Sequence, residues 1–330
     1  MHKISILAFA ISTIATAASA QDLPTLTVYT YDAFAAEWGP GPELKQGFEA
    51  TCNCTLDIIA ADSSIGALRK VQLEGQNTKA DIVLGLDTSL VGEASATGLF
   101  APHQVDTSAL TIPNDWASDT FVPFDYGYLA MIYNKEILPE PPKSFEQLAG
   151  RNLDLKIITQ DPRSSTPGLG LVLWLKAAYG GDTNEAWAAI APHIITLTQT
   201  WSEAYSLFLD GEADMVLSYT TSPAYHQIIE GDERFVAAPF REGHYTQIEV
   251  AGILASSPNQ DLANQFLTYL ISEEAQSIIP TTNWMYPVLA SAIPSEFANL
   301  HQPEKTLLLD DEAVTEHGAA WVAEMLAAFD

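Results

Sequence analysis

The sequence has 330 residues, 47% of them hydrophobic, enough for one large or two medium domains at ~100–200 residues each. Lys plus Arg number 14 against 42 Asp plus Glu, a formal charge of −28, and a surface this acidic repels nucleic acid and anionic membranes. The same acidity suits a cationic ligand, and it equally serves solubility alone.

The first residues read as an export signal. Lys3 supplies a positive start, Ile4 to Ile14 form a short apolar core, and Ala18-Ser19-Ala20 has the small-x-small cleavage pattern. Residues 1–20 are therefore expected to be removed, leaving Gln21 first. The apolar run is too short and too interrupted to anchor in a bilayer, and no Cys follows it to accept lipid. A freely diffusing exported protein needs an enclosed space, so the expected compartment is a periplasm.

Leu26 to Thr30, Leu56 to Ala60 and Ala80 to Leu86 read as strands, with a helix from Ile65 to Leu73 that Gly75 ends. Cys52 and Cys54, the only cysteines, can pair in an oxidising compartment, although the ring is tight. No histidines cluster near them, so no metal site is expected. A long run from Phe121 to Tyr133, rich in aromatic and β-branched residues, predicts a strand crossing into a second lobe. There Leu155 to Thr159 is a strand, followed by a helix that Thr166 caps and Gly180-Gly181 closes. Ser202 is expected to cap the next helix, which Gly211 ends before the strand Asp214 to Tyr219. Gly243 to Leu254 reads as a strand returning to the first lobe, and Asp261 to Gln276 as one amphipathic helix. The alternation predicts an α/β chain of two hinged lobes with strand ends facing a cleft, in preference to one α/β domain with a lid. Lobe 1 comprises 21–120 and 245–300, lobe 2 comprises 121–244, and 301–330 form a C-terminal helical segment.

Three features bear on chemistry. Ser164 to Gly168 precede a helix, where free N–H groups and hydroxyls cradle an anion or polar group. Tyr31, Trp38, Trp201, Tyr205, Tyr219, Tyr225, Trp284 and Tyr286 fall mostly in loops or at strand ends, where their faces suit heteroaromatic rings and cations. Asp62 or Asp87 is placed to neutralise a cation, and either equally caps a helix.

Leu26 to Asp32, Trp38 to Pro42, Cys52-Asn53-Cys54, Ala80 to Asp87 and Phe121 to Tyr128 closely resemble the periplasmic thiamine-binding proteins of bacterial ABC importers. So do Gln160 to Arg163, Ser165 to Gly170, Trp201 to Tyr205, Ser218 to His226 and Asn283 to Val288. The resemblance implies a class II periplasmic binding fold with a hinged interlobe cleft. It also implies a monomeric receptor for thiamine, thiamine monophosphate and thiamine diphosphate that serves an ABC permease, without a cofactor. The ligand contacts it implies are Ser165, Thr166, Trp201 and the run Tyr219-Thr220-Thr221-Ser222, with Tyr31, Tyr225 and Trp284 as aromatic walls. Asp62, Ser63 and Ser64 are expected as further ligand contacts, although this loop departs from the pattern: the family tends to have an acidic residue followed by Asp-Gly there, and Asp62 would supply the carboxylate from one position earlier.

Other functions fit the residues less well. A thiamine-degrading transferase of related fold needs a cysteine nucleophile, and a Ser-His-Asp hydrolase needs a Gly-x-Ser-x-Gly elbow that is missing. Iron(III) receptors of this broad fold use adjacent tyrosines, and there is no Tyr-Tyr pair. A polyamine fits the acidity and the aromatics but leaves the Ser165-Thr166 cradle unexplained.

Overall fold

A computed structural model describes residues 23–150 and 154–329; the expected signal at 1–20 lies outside them. Strands β1 (Thr25–Tyr31), β2 (Thr55–Ala61) and β3 (Ile82–Asp87) are parallel, as the alternation with helices requires. A short turn, α1 (Asp32–Ala35), leads to α2 (Gly41–Cys52), which starts on Pro42 and stops at Asn53 in the left-handed conformation (φ 51°). A Cys52–Cys54 disulfide locks that stop, with Cα atoms 5.2 Å apart. Helix α3 (Ser64–Glu74) is capped by Ser63, whose Oγ accepts from the Gly66 N–H at 3.0 Å. Helix α4 (Val91–Ala96) and the two-residue strand β4 (Phe100–Ala101) then carry the chain to the sheet's centre.

Strand β5 (Phe121–Asn134) is 14 residues long, and its two ends have different neighbours. Phe121 to Tyr128 pair with β10 (His244–Leu254), while Leu129 to Tyr133 pair with β8 (Met215–Tyr219). Between them in sequence come α5 (Phe145–Leu148), β6 (Ile157–Gln160), α6 (Thr166–Tyr179), α7 (Asn184–Ile190), β7 (Ile194–Thr198) and α8 (Trp201–Leu209). After β8 follow α9 (Pro223–Tyr225) and β9 (Phe235–Ala237), which also pairs with β5. The sheet order is β2-β1-β3-β10-β5-β8-β6-β7, so β5 and β10 join two sets of strands. Every residue of β10 is buried, consistent with a strand covered on both faces.

The chain closes with α10 (Gln260–Leu270), α11 (Glu273–Thr282), β11 (Tyr286–Pro287), β12 (Thr306–Leu307) and α12 (Asp311–Leu326). Helix α12 touches α4 on one side and α6 and α7 on the other. Its Glu324 accepts from Lys176 Nζ at 3.0 Å and Thr183 Oγ1 at 2.8 Å.

Three local expectations are corrected. Asp261 to Gln276 is two helices, because the Ser272 side chain accepts from the Ala275 N–H and restarts the chain as α11. Thr200, not Ser202, caps α8 by accepting from the Glu203 N–H at 3.2 Å. Thr166 is the first residue of α6 rather than its cap; Ser165 holds the cap position without a side-chain bond to the helix.

Two bulges lie side by side at the centre of the sheet. Pairing of β10 with β5 shifts between Glu249 and Val250, opposite Pro123 to Asp125, and there the Phe124 carbonyl accepts from Gln276 Nε2 at 2.9 Å. Pairing of β10 with β3 shifts between Val250 and Ala251, leaving Gly85 as the extra residue at φ +90°. A Cβ at Gly85 would lie 2.4 Å from the Tyr31 ring, so this glycine makes room for that side chain. We predict that Gly85→Ala lowers the urea unfolding free energy by about 2–4 kcal/mol, through positive-φ strain plus overpacking.

Candidate functional site

A cleft opens between the two sets of strands, about 710 Å³ including its open mouth, a size suited to a small organic molecule. Its walls come from β-strand ends and helix starts. Tyr31, Asp62, Ser63 and Ser64 line one side; Ser165, Thr166, Trp201, Tyr219 and Ser222 line the other. Glu249, Asn283, Trp284 and Met285 complete it.

Three helices point their N-termini at this space: α3 behind Ser63, α6 behind Ser165 and α8 behind Thr200. Their partial positive charge and N–H groups favour an anionic or hydroxyl group. Helices α3 and α8 are capped by their own side chains, whereas Ser165 leaves the start of α6 open to a ligand. Gly168 lets this helix approach β6, since a Cβ there would meet the Gln160 carbonyl oxygen at 2.4 Å.

The aromatic walls are fixed by their neighbours. Trp201 Nε1 donates to Ser218 Oγ at 2.8 Å, and the indole stacks on Tyr205 at 5.1 Å between centroids. Ser218 and Ser222 share a hydrogen bond of 2.6 Å, which secures the turn after β8. The Tyr219 hydroxyl donates to Gln247 Oε1 at 3.1 Å. Trp284 holds a left-handed backbone (φ 55°), unusual for a bulky residue and of the kind that concentrates at binding sites. Trp38, 55% exposed, stands at the rim.

Three sequence candidates stand behind the wall. The Thr220 and Thr221 side chains are fully buried, and Tyr225 packs edge-on against Trp284 at 5.4 Å. Asp62 is exposed at the mouth, where its Oδ2 accepts from Gln199 Nε2 across the cleft at 3.2 Å.

Sequence reasoning missed the floor. Glu249 is 6% exposed and lines the cleft; its Oε2 lies 2.9 Å from the Tyr31 hydroxyl and 3.4 Å from Asn283 Nδ2. Asn283 Nδ2 also donates to Asp125 Oδ2 at 2.7 Å, while the other Asp125 oxygen is buried without a partner. Burial raises the Asp125 carboxyl to about 7, partly offset by its hydrogen bonds with Asn283 and Glu249, while burial and then repulsion from Asp125 push Glu249 well above the usual range. Asp87, 1% exposed, is raised to about 6 by burial, partly offset by donation from the Ser89 N–H and hydroxyl. The missed signal was a carboxylate inside a strand that otherwise reads as wholly buried.

The raised Asp87 carboxyl sets a pH dependence. The folded state holds this proton up to about pH 6 and the unfolded chain releases it near 3.8, so stability falls as pH rises between the two. We predict that Asp87→Asn shrinks the loss of unfolding free energy between pH 4 and pH 8 by up to about 3 kcal/mol, measured by urea denaturation.

The sequence profile of bacterial extracellular solute-binding proteins matches residues 24–277. A thiamine-binding periplasmic protein of Escherichia coli is 50% identical over 301 residues, covering 91% of this chain and 92% of that one. A protein of the same name from Brucella suis is 45% identical over 331 residues, covering 99% of both. A solved periplasmic thiamin binding protein superposes with a TM-score of 0.91 at 49% identity, over 93% of this chain and 97% of that one. With the two-lobed mixed sheet and the cleft at its strand ends, these matches place the chain among the bacterial extracellular solute-binding proteins, in the family of the thiamine-binding periplasmic proteins.

Proposed function

We propose that the protein is a periplasmic receptor that captures thiamine, and its mono- and diphosphates, and delivers it to the permease of an ABC importer. The observation that carries this reading is the mixed lining of the cleft. It brings together three helix starts with hydroxyls, a buried carboxylate and several aromatic faces. Thiamine has the complementary groups: a hydroxyethyl arm that takes phosphate, a permanently positive thiazolium and a flat aminopyrimidine. Tyr31, Trp201, Tyr219 and Trp284 suit the rings, and each aromatic face attracts a cation by roughly 0.5–2 kcal/mol. Ser63, Ser64, Ser165, Thr166 and Ser222 suit the arm.

Capture works by closure of two lobes, 21–120 with 245–300 against 121–244, as a monomer. Strands β5 and β10 are the connections that flex, and the Asp62–Gln199 bond is one latch of the closed form. Closure removes water from the rings and presents the surface that a permease recognises. Among the described residues no helix is long and apolar enough to cross a membrane, which fits a receptor that hands its cargo to a separate permease. Both cysteines are tied to each other, so the chain offers no thiolate for the chemistry of a thiamine-degrading transferase.

Tryptophan fluorescence should quench on titration with thiamine and not with putrescine. Trp201→Ala and Tyr219→Ala should each weaken binding by about tenfold or more, the loss of one well-packed ring contact. Absence of quenching and of any thermal shift at micromolar thiamine would overturn the reading, as would release of a pyrimidine product from thiamine.

A further inference from the structure

Glu249 does not stand alone on the floor. In the sheet register it lies directly opposite Asp87 of β3 on one side and Asp125 of β5 on the other. Directly opposed residues of neighbouring strands point to the same face, so three carboxyls form a row across the centre of the sheet. Like charges so placed repel, and none of the three joins an ion pair among the described residues. The groups that do face the row are neutral donors or phenols. They are Tyr31 from β1, Ser89 after β3, Gln247 and Tyr245 from β10, Tyr219 from β8, and Asn283 after α11. The row is a line rather than a cage: among the described residues no group of three or more acids, histidines or cysteines is arranged to hold a metal ion.

Two further observations fix what the row awaits. Asp125 is wholly buried, one of its oxygens finds no donor among the described residues, and its side chain lies within hydrogen-bonding reach of the opposed Glu249 carboxyl, so the two acids are placed to share a proton. Glu249, the middle member, is the one that lines the cleft. Resting on the thiamine reading above, we propose that Glu249 is the counter-charge that selects a positively charged ring, and that it shares a proton with Asp125 until that ring arrives. On binding, the O–H bond of the shared proton breaks, the proton passes to solvent, and the carboxylate left on Glu249 faces the cation. Tyr31 and Asn283, which contact Glu249, orient it toward the cleft. Asp62, the acid that the loop sequence offers, is bonded to Gln199 at the mouth and is not this counter-charge.

The experiment is calorimetric titration of the full chain with thiamine and with its neutral isostere in which a thiophene replaces the thiazolium. Each is run between pH 6 and pH 8.5, in buffers of different ionisation enthalpy. For the wild type, thiamine should release a substantial fraction of a proton near pH 6.5, and its affinity should rise with pH; the isostere should do neither. Glu249→Gln should lose about tenfold or more of the preference for thiamine over the isostere, together with the proton release. Asp125→Asn, which keeps Glu249, should lose the proton release and retain the preference. A wild type that binds thiamine with no proton release and constant affinity overturns the proposal, as does a Glu249→Gln variant with undiminished preference for the cation. A wild type that binds neither compound at any pH overturns the thiamine reading itself and this inference with it.

Discussion

The antiparallel pairing of β5 with β10 ties the two sets of strands into one sheet. These two strands run through the middle of the sheet, and their residues serve both sets of strands at once. Because β10 is buried along its whole length, the chain has little freedom to shift its register there. Side-by-side bulges at Gly85 and at Pro123–Asp125 add twist at this point, and they admit the Tyr31 ring beside Glu249. Architecture and site thus share one locus: the strands that hold the lobes together also carry the floor of the cleft.

That locus is electrostatically costly. Asp87, Glu249 and Asp125 are packed across three strands without a basic partner among the described residues, in a chain whose formal charge is already −28. A core built for stability alone would not carry this row, because each buried carboxyl either loses hydration or must hold a proton. The same cleft also carries helix starts and hydroxyl groups of the reverse character. A ligand with a cationic ring and a polar arm meets a matching group for each part.

Much of this was legible in the sequence. Strand ends bearing Tyr31, Ser63 and Tyr219, and the helix start at Ser165-Thr166, stand out because hydroxyl and aromatic residues beside Gly and Pro are hard to absorb into a core. The long strands β5 and β10 could be read from their length and β-branched content. Direction could not. Thr220 and Thr221 adjoin wall residues in sequence yet are fully buried outside the lining, since a turn after a strand points successive side chains differently. Glu249 escaped because its meaning depends on register: only when β3, β10 and β5 are aligned does one acid become the centre of a row. The choice of Thr200 over Ser202 as a cap and the break at Ser272 turn on single hydrogen bonds that several nearby hydroxyls could have made.

A crystal structure with thiamine monophosphate would show how the ligand lies in the cleft. The thiazolium should rest against Glu249 and Tyr31, with the phosphate on the open helix start at Ser165 and Thr166. A phosphate seated beside Glu249, or a ligand lying outside the cleft, rules this arrangement out.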